Sequence, residues 1–310
     1  MLLSKVAERV YWMARYVERA ENTARLIQAN TRMMLDLPMR HQDGWRTLVV
    51  ITGSNDLYSE QYEQVEERTV SRFLISDRQN PGSIRSSLNA ARENARTLRD
   101  ILPRQAWECL NELCLYASNE LAGNLSRTRQ AERLHGVIER AGTFAGALSN
   151  TMLHDEAYEF LRIGRNLERA DMTTRLIDVR SVNLMMLDTD DKFLIEQAQW
   201  RAVLAALSAS TGIRRRKQRR LTQTAVLQFV VKDDAFPRSF AYCAGVTRTA
   251  LQRLPRSRAL VRSCNEILER VAQADLARMA PEDLHSFVDQ RQIEIADLHA
   301  RIESTYLQLS

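Results

Sequence analysis

Two stretches of the sequence set carboxylates and guanidiniums at fixed helical spacing. Residues 15–27 read RYVERAENTARLI and residues 165–177 read RNLERADMTTRLI, agreeing at Arg, Glu, Arg, Ala, Thr, Arg, Leu and Ile, with Glu21 matched by Asp171. At about 100° per residue, Arg15, Glu18, Arg19 and Asn22 share one helix face, and Arg165, Glu168, Arg169 and Met172 share the corresponding face of the second copy. The forked donors of Arg15, Arg19, Arg165 and Arg169, with Asn22, Arg25 and Arg175 beside them, suit a carboxylate or phosphate. Glu18 and Glu168 are the candidate catalytic groups, placed to take a proton or hold an amine. The same residues also read as packing devices. Arg15 with Glu18 is an i,i+3 pair, while Glu21 with Arg25 and Asp171 with Arg175 are i,i+4 pairs. Each contributes about 0.3–0.5 kcal/mol if exposed, or fixes one half of the chain on the other if buried. Spacing alone leaves both readings open.

Other constellations carry less chemistry. Arg92, Glu93, Asn94 and Arg96 form a third charged cluster in which Arg92 and Arg96, four apart, would share one anion. Glu132 with His135 and Glu282 with His285 have the E-x-x-H spacing of carboxylate-bridged metal sites, for which Glu18 and Glu168 are the available further donors. Glu282 follows Pro281, however, and a first-turn acid serves the helix dipole. The run RRRKQRR, 214–220, would touch nucleic acid or anionic lipid, but it lacks the interleaved aromatics that stack bases. A solvated face is the simpler reading. No phosphate-binding glycine loop, nucleophile elbow or dinucleotide fingerprint occurs, so no cofactor is evident in the chain itself.

The elements that must carry these residues are helices. Ten Gly and six Pro in 310 residues are few, and 45% hydrophobic with 27% charged residues is an ordinary globular composition. No apolar run is long enough to span a membrane, and the first residues run straight into an amphipathic helix without a secretory signal pattern. Cys109, Cys114, Cys243 and Cys264 make no C-x-x-C pair and read as reduced thiols of a cytoplasmic protein. The net charge of +5 is only mildly basic.

The repeat extends past the motif. WRTLV from Trp45 matches WRAVL from Trp200, and FLISDRQNPGSI (73–84) matches FVVKDDAFPRSF (229–240) at Phe, Asp, Pro and Ser. Three blocks in one order at nearly constant offset predict an all-α bundle built from two duplicated, pseudo-symmetric halves, 1–155 and 156–310, packed as one unit. Each half runs from motif helix through a short loop (LPMRHQDG, MMLDTDDK) to a Trp helix, a charged link, and a Pro turn whose serine opens the next helix. The links differ in sign: SEQYEQVEER is acidic and GIRRRKQRR basic. They would attract across the pseudo-axis or between subunits of a homo-oligomer, or remain two solvated faces.

At these residues the sequence resembles the Alpha-E family, bacterial helical proteins named for their Glu-Arg motif. The matching pieces are MLLSKVAERVYWMARYVERAENTARLI, NPGSIRSSLNAARENARTLRD, WECLNELCLY, FLRIGRNLERADMTTRLID and FPRSFAYC, which span nearly the whole chain in order. The segment STGIRRRKQRRLTQ departs from the pattern in being more basic. The resemblance implies an all-helical fold and genomic company with circularly permuted ATP-grasp ligases, transglutaminase-like peptidases and, in some operons, a proteasome-like peptidase. It further implies a role in making or modifying a peptide-like product, with ATP entering only through a partner ligase. It leaves open whether the chain is itself an enzyme.

Overall fold

The computed structural model describes residues 3–37, 43–123, 125–185, 192–216 and 221–308, and all their regular structure is helical. The first seven helices are α1 (Ser4–Asp36), α2 (Asp43–Ile51), α3 (Asn55–Gln61), α4 (Glu67–Ile75), α5 (Ile84–Arg96), α6 (Arg104–Glu120) and α7 (Arg127–Thr151). The next are α8 (Glu156–Met185), α9 (Lys192–Ala206), α10 (Ser210–Arg215) and α11 (Gln223–Leu227), the last running into a π-helical turn, Gln228–Lys232. The chain closes with α12 (Phe240–Gln252), α13 (Arg258–Gln273) and α14 (Pro281–Ile302), followed by a second π turn, Glu303–Leu307. The loops expected after the two motif helices fall largely at 38–42 and 186–191, outside the described residues.

Local chemistry explains the helix starts. Asp77 accepts from the Gln79 N–H at 2.9 Å, and Ser83 caps α5 by accepting from the Ser86 N–H at 3.2 Å. Asp233 and Ser239 repeat the device ahead of α12, accepting from the N–H groups of Ala235 at 2.9 Å and Tyr242 at 3.1 Å. Each serine hydroxyl donates back to the carbonyl of its aspartate. These caps occupy orphan donors that otherwise cost about 1 kcal/mol each. Pro103 caps α6, and Pro281 opens α14 with Glu282 and Asp283 in its first turn.

The two motif helices lie side by side at the centre and run in the same direction. Tyr11 meets Gly164, Arg19 meets Glu168, and Asn30 meets Arg180. On α1 the expected stripe of Val10, Met13, Val17, Ala20, Ala24 and Ile27 is buried, but so are Glu18, Glu21 and Asn22. The helix is therefore enclosed on nearly every side. Helices α5 and α7 cover α1, and α12 and α14 cover α8 in the same order. The Trp helices reach across the pair: α9 packs chiefly on α1 and also on α8, and α2 packs on α1 and α8 alike. Trp45 and Trp200 are buried, and each Trp helix ends at a residue with positive φ, Gly53 at 67° and Ser208 at 54°. Both ends close by a Schellman pattern, with Ser54 N–H donating to Val49 O at 3.1 Å and Ala209 N–H to Leu204 O at 2.7 Å. The four cysteines are unpaired, and burial pushes the thiols of Cys114, Cys243 and Cys264 up to about 12.

Close approach of the central pair needs Gly164, because a Cβ there would stand 2.4 Å from the Tyr11 carbonyl oxygen. Backbone cannot yield as a side chain can. Gly164→Ala is expected to cost about 1–3 kcal/mol in urea unfolding, the range for overpacking. Gly142→Ala, where a Cβ meets nothing within 4 Å, should be neutral or stabilise α7 by up to about 1 kcal/mol.

Candidate functional site

The Glu-Arg residues meet in the interface between α1 and α8. Arg19 Nε donates to Glu168 Oε1 at 2.6 Å and Arg19 Nη2 to Oε2 at 3.1 Å, while Arg15 Nε donates to Oε2 at 2.8 Å. In return, Arg169 Nε stands 2.9 Å from Glu18 Oε1, close enough for charge attraction but not aligned as a hydrogen bond. Each Glu-Arg dipeptide thus supplies the carboxylate for one contact and the guanidinium for the reciprocal one. Both glutamates are deeply buried, Glu18 at 2% and Glu168 at 4% exposure.

A residue outside the motif completes one side. Arg238, in the Pro turn before α12, donates from Nη1 to Glu18 Oε1 at 2.8 Å and to Asn22 Oδ1 at 2.6 Å, and from Nη2 to Glu21 Oε1 at 2.6 Å. Thr173 of α8 holds the turn by donating to the Arg238 carbonyl at 2.9 Å. The aligned position in the first half is Gly82, so Glu168 takes its second guanidinium from Arg15 instead. With Arg238 filling the contact that symmetry would give to Arg165, the Arg165 Nε is left buried without a hydrogen-bond partner. In the sequence Arg238 stands out only by place, in the Pro turn FPRS aligned with NPGS and in the piece FPRSFAYC that carries the family resemblance, and neither marks it as a partner of Glu18.

The distal arginines extend the lattice to the opposite Trp helix. Arg25 bonds Glu21 at 2.8 Å and reaches Ser208 Oγ at 2.5 Å. Arg175 bonds Asp171 at 2.9 Å and lies beside Gly53, where a Cβ would stand 2.9 Å from its Nη1. At the outer edge, Arg15 Nη1 donates to Tyr11 Oη at 3.3 Å, and Tyr11 lies 2.8 Å from His299 Nδ1. Burial pushes the Tyr11 phenol up to about 12. Its oxygen accepts from Arg15, which leaves the hydroxyl proton to donate to an unprotonated Nδ1, an arrangement that fits the neutral Nε2–H tautomer of His299.

The charges are settled by this geometry. Burial raises Glu18, but Arg169 and Arg238 outweigh it and hold the carboxyl below its ordinary range; burial likewise raises Glu168, and Arg19 and Arg15 overcome it. Burial disfavours the cationic forms of Arg15, Arg19 and Arg169, and their carboxylate partners more than restore them. Arg165 moves the other way, lowered by burial and then by Arg169. Two carboxylates held this firmly ionised are poor proton shuttles near neutral pH, where a general base works best with a pKa near the operating value.

Several expectations change. Arg15 does not pair with Glu18 along its own helix; it crosses to Glu168. The motif face is a helix-helix interface instead of an open groove. The i,i+4 pairs Glu21–Arg25 and Asp171–Arg175 are present, at 2.7 Å and 2.9 Å. Arg92 and Arg96 do not share an anion: Arg92 donates to Asn111 at 2.8 Å, and Arg96 pairs with Glu93 at 2.9 Å on the surface. Asn94 contributes its backbone carbonyl to Thr97. Glu132 and His135 are exposed on α7, with His135 turned to Glu139, whereas His285 of α14 meets Asp178. Glu282 is exposed in the first turn of α14. Among the described residues these side chains do not converge, and no group of three metal-ligating residues forms. Of the basic run, Arg214 to Arg216 are described. Arg216 pairs within its own half, with Asp233 at 2.7 Å, so the described part does not bridge to the acidic link.

The fold and lattice define an all-helical protein whose two long central helices exchange glutamate and arginine. The chain belongs to the Alpha-E family, described as a predicted alpha-helical domain with a conserved ER motif, whose model matches residues 2–307. It is 27% identical, over 97% of its length, to an uncharacterised protein of Mycobacterium bovis and to uncharacterised proteins from two strains of Mycobacterium tuberculosis. The chain spans 35% of the length of these curated relatives. No solved structure matches it. No described helix is long and apolar enough to cross a membrane.

Removing one side of the lattice should be costly. Glu168→Gln leaves the buried Arg15 and half-buried Arg19 without a counter-ion and is expected to lower stability by about 3–5 kcal/mol in urea unfolding. Acid tests the same contacts. Because Glu18 and Glu168 sit below their unfolded values, the unfolded chain takes up protons first, so their contribution is complete above about 4.5 and is lost, for Glu18, as pH falls toward 2. His299, lowered by burial and by Arg15, has the same sign with a window opening below 6.5. Urea midpoints measured against pH should therefore fall in two stages, and His299→Gln should remove the upper one.

Proposed function

We propose that this chain is a non-catalytic helical scaffold or adaptor, made of two duplicated copies of one unit. In this reading it works beside an ATP-grasp ligase in making or modifying a peptide-like product. The observation that carries the scaffold part is the reciprocal burial of Glu18 and Glu168 among arginines of the opposite helix, which spends the motif on holding the halves together. The duplication is supported by contacts that recur at the sequence offset: the dipeptides exchange partners, the distal arginines reach opposite Trp-helix ends, and the Asp-Ser turns before α5 and α12 share their hydrogen bonds.

Work beside a second protein is supported by the relatives, in which the matched region is about a third of a longer chain. The ligase and a transglutaminase-like peptidase partner follow from the family resemblance, and a cytoplasmic setting from the unpaired cysteines. The other reading the sequence offers, an anion site at Arg15, Arg19, Arg165 and Arg169 with Glu18 and Glu168 as proton handlers, keeps one structural argument: the Arg165 Nε has no hydrogen-bond partner among the described residues.

The test is co-purification from the native cell with an ATP-grasp ligase, followed by ligase assays with wild-type chain and with Arg165→Gln. Stable association and equal stimulation by both proteins is the expected result. Loss of stimulation by Arg165→Gln at unchanged melting temperature would restore the anion-site reading. Absence of any ligase from the complex would remove the ligase part.

A further inference from the structure

One charged surface lies outside the Glu-Arg lattice and takes no part in it. Helix α4, the first turn of α7 and the loop between α6 and α7 enclose a cleft of about 380 Å³, with Arg68, Arg72, Arg127, Ser71, Ser76 and Gln130 as its polar lining. A second hollow of about 180 Å³ continues over α1, adding Arg32, Gln28, Thr31 and Thr128, and it shares Arg127 and Gln130 with the first. The two form one groove crossing from α4 to the C-terminal half of α1.

Its charge is lopsided. Four arginines face one acid, Glu67, which is held by Arg127. Arg32, Arg68 and Arg72 have no ion-pair partner among the described residues. Arg68 and Arg72 are four apart on α4, where neighbouring side chains lie about 5–6 Å apart at Cβ and can grip one carboxylate from two sides. Helix α7 has no acid in its first turn, so the positive end of a 25-residue helix adds to the same field.

We propose that this groove binds an extended acidic peptide segment. Three features select that ligand. The guanidiniums are spread over two connected hollows, which suits several carboxylates along a chain better than one phosphate. Apolar side chains also line both hollows, Ile75, Leu121 and Leu125 in the cleft and Leu35 and Leu134 beyond it, and of these the exposed Leu35 and half-buried Leu125 offer the stems of acidic residues a surface to lie on. Neither hollow is lined by an aromatic ring, so bases have nothing to stack on and single-stranded nucleic acid is disfavoured. The peptide class deepens the peptide-product reading and rests on it in that respect; the anionic character rests on the groove alone.

The test uses the intact chain and a fluorescent hexaglutamate peptide, with binding followed by anisotropy at low and at physiological salt. Binding to the wild type is expected, and Arg68→Glu with Arg72→Glu should weaken it by at least about tenfold, as loss of charge-assisted bonds does. Both arginines are exposed, so the variant should fold; Arg68→Gln with Arg72→Gln gives a milder version of the same loss. The control is Arg214→Glu with Arg215→Glu, an identical change in net charge outside the groove, which should bind as wild type does. Equal weakening by groove and control variants would mean attraction to overall charge and would overturn the proposal. No binding, or preference for an oligouridylate that the groove variants abolish, would overturn it as well. Peptide binding without ligase co-purification would keep the groove and lose the ligase reading, and the reverse result would do the opposite.

Discussion

The structure depends on matching buried charge across two parallel helices. An ionised glutamate moved into a packed interface loses several kcal/mol of hydration, and only well-placed cations recover it. Glu168 obtains two guanidiniums from α1; Glu18 obtains one from α8 and one from the turn before α12. Everything around the central pair follows from keeping those partners in place. The helices must run in one direction and in one register, since a shift of a single residue would swing Arg19 about 100° away from Glu168. Gly164 lets the backbones approach, and α5, α7, α12 and α14 exclude the water that would weaken the contacts.

This arrangement explains why a stretch so rich in charge can also be core. Helical periodicity separated an apolar stripe from a charged face and correctly assigned the stripe to the interior. It could not assign the charged face, because a face of Arg and Glu looks the same whether it meets solvent, a ligand or its own counterpart. What distinguishes them is the partner, here 150 positions away. The i,i+4 pairs were legible since both members lie on one helix. Arg15 was misassigned to Glu18 for the same reason: the local candidate was visible and the distant one was not.

The fold was more legible than the site because its signals are local. Scarce Gly and Pro, the serine caps at Ser83 and Ser239, and Pro281 with its first-turn acids mark helix boundaries through bonds within a few residues. Arg238 belongs to the opposite class. Its role comes from a turn that carries it to α1, more than 200 residues away in sequence. Tyr11 and His299 are similar, 288 positions apart and joined by one hydrogen bond. Arg180 is buried with Asn30 as its hydrogen-bond partner and, among the described residues, no carboxylate, so it costs stability that the surrounding packing must offset.

The halves also show where freedom to diverge lies. At the centre, where each charge needs its mate, the dipeptides Glu18-Arg19 and Glu168-Arg169 are the same, and the exchange of Gly82 against Arg238 goes with different partners for Arg15 and Arg165. At the periphery no such coupling acts. Helix α7 opens with Arg127-Thr128-Arg129, while α14 opens with Pro281-Glu282-Asp283, whose acids already complement the helix dipole. The first end is left positive beside a cleft and the second is neutralised by its own sequence. A charge reversal there disturbs no buried partner, so such a surface can acquire ligand specificity while the lattice that holds the molecule together stays fixed.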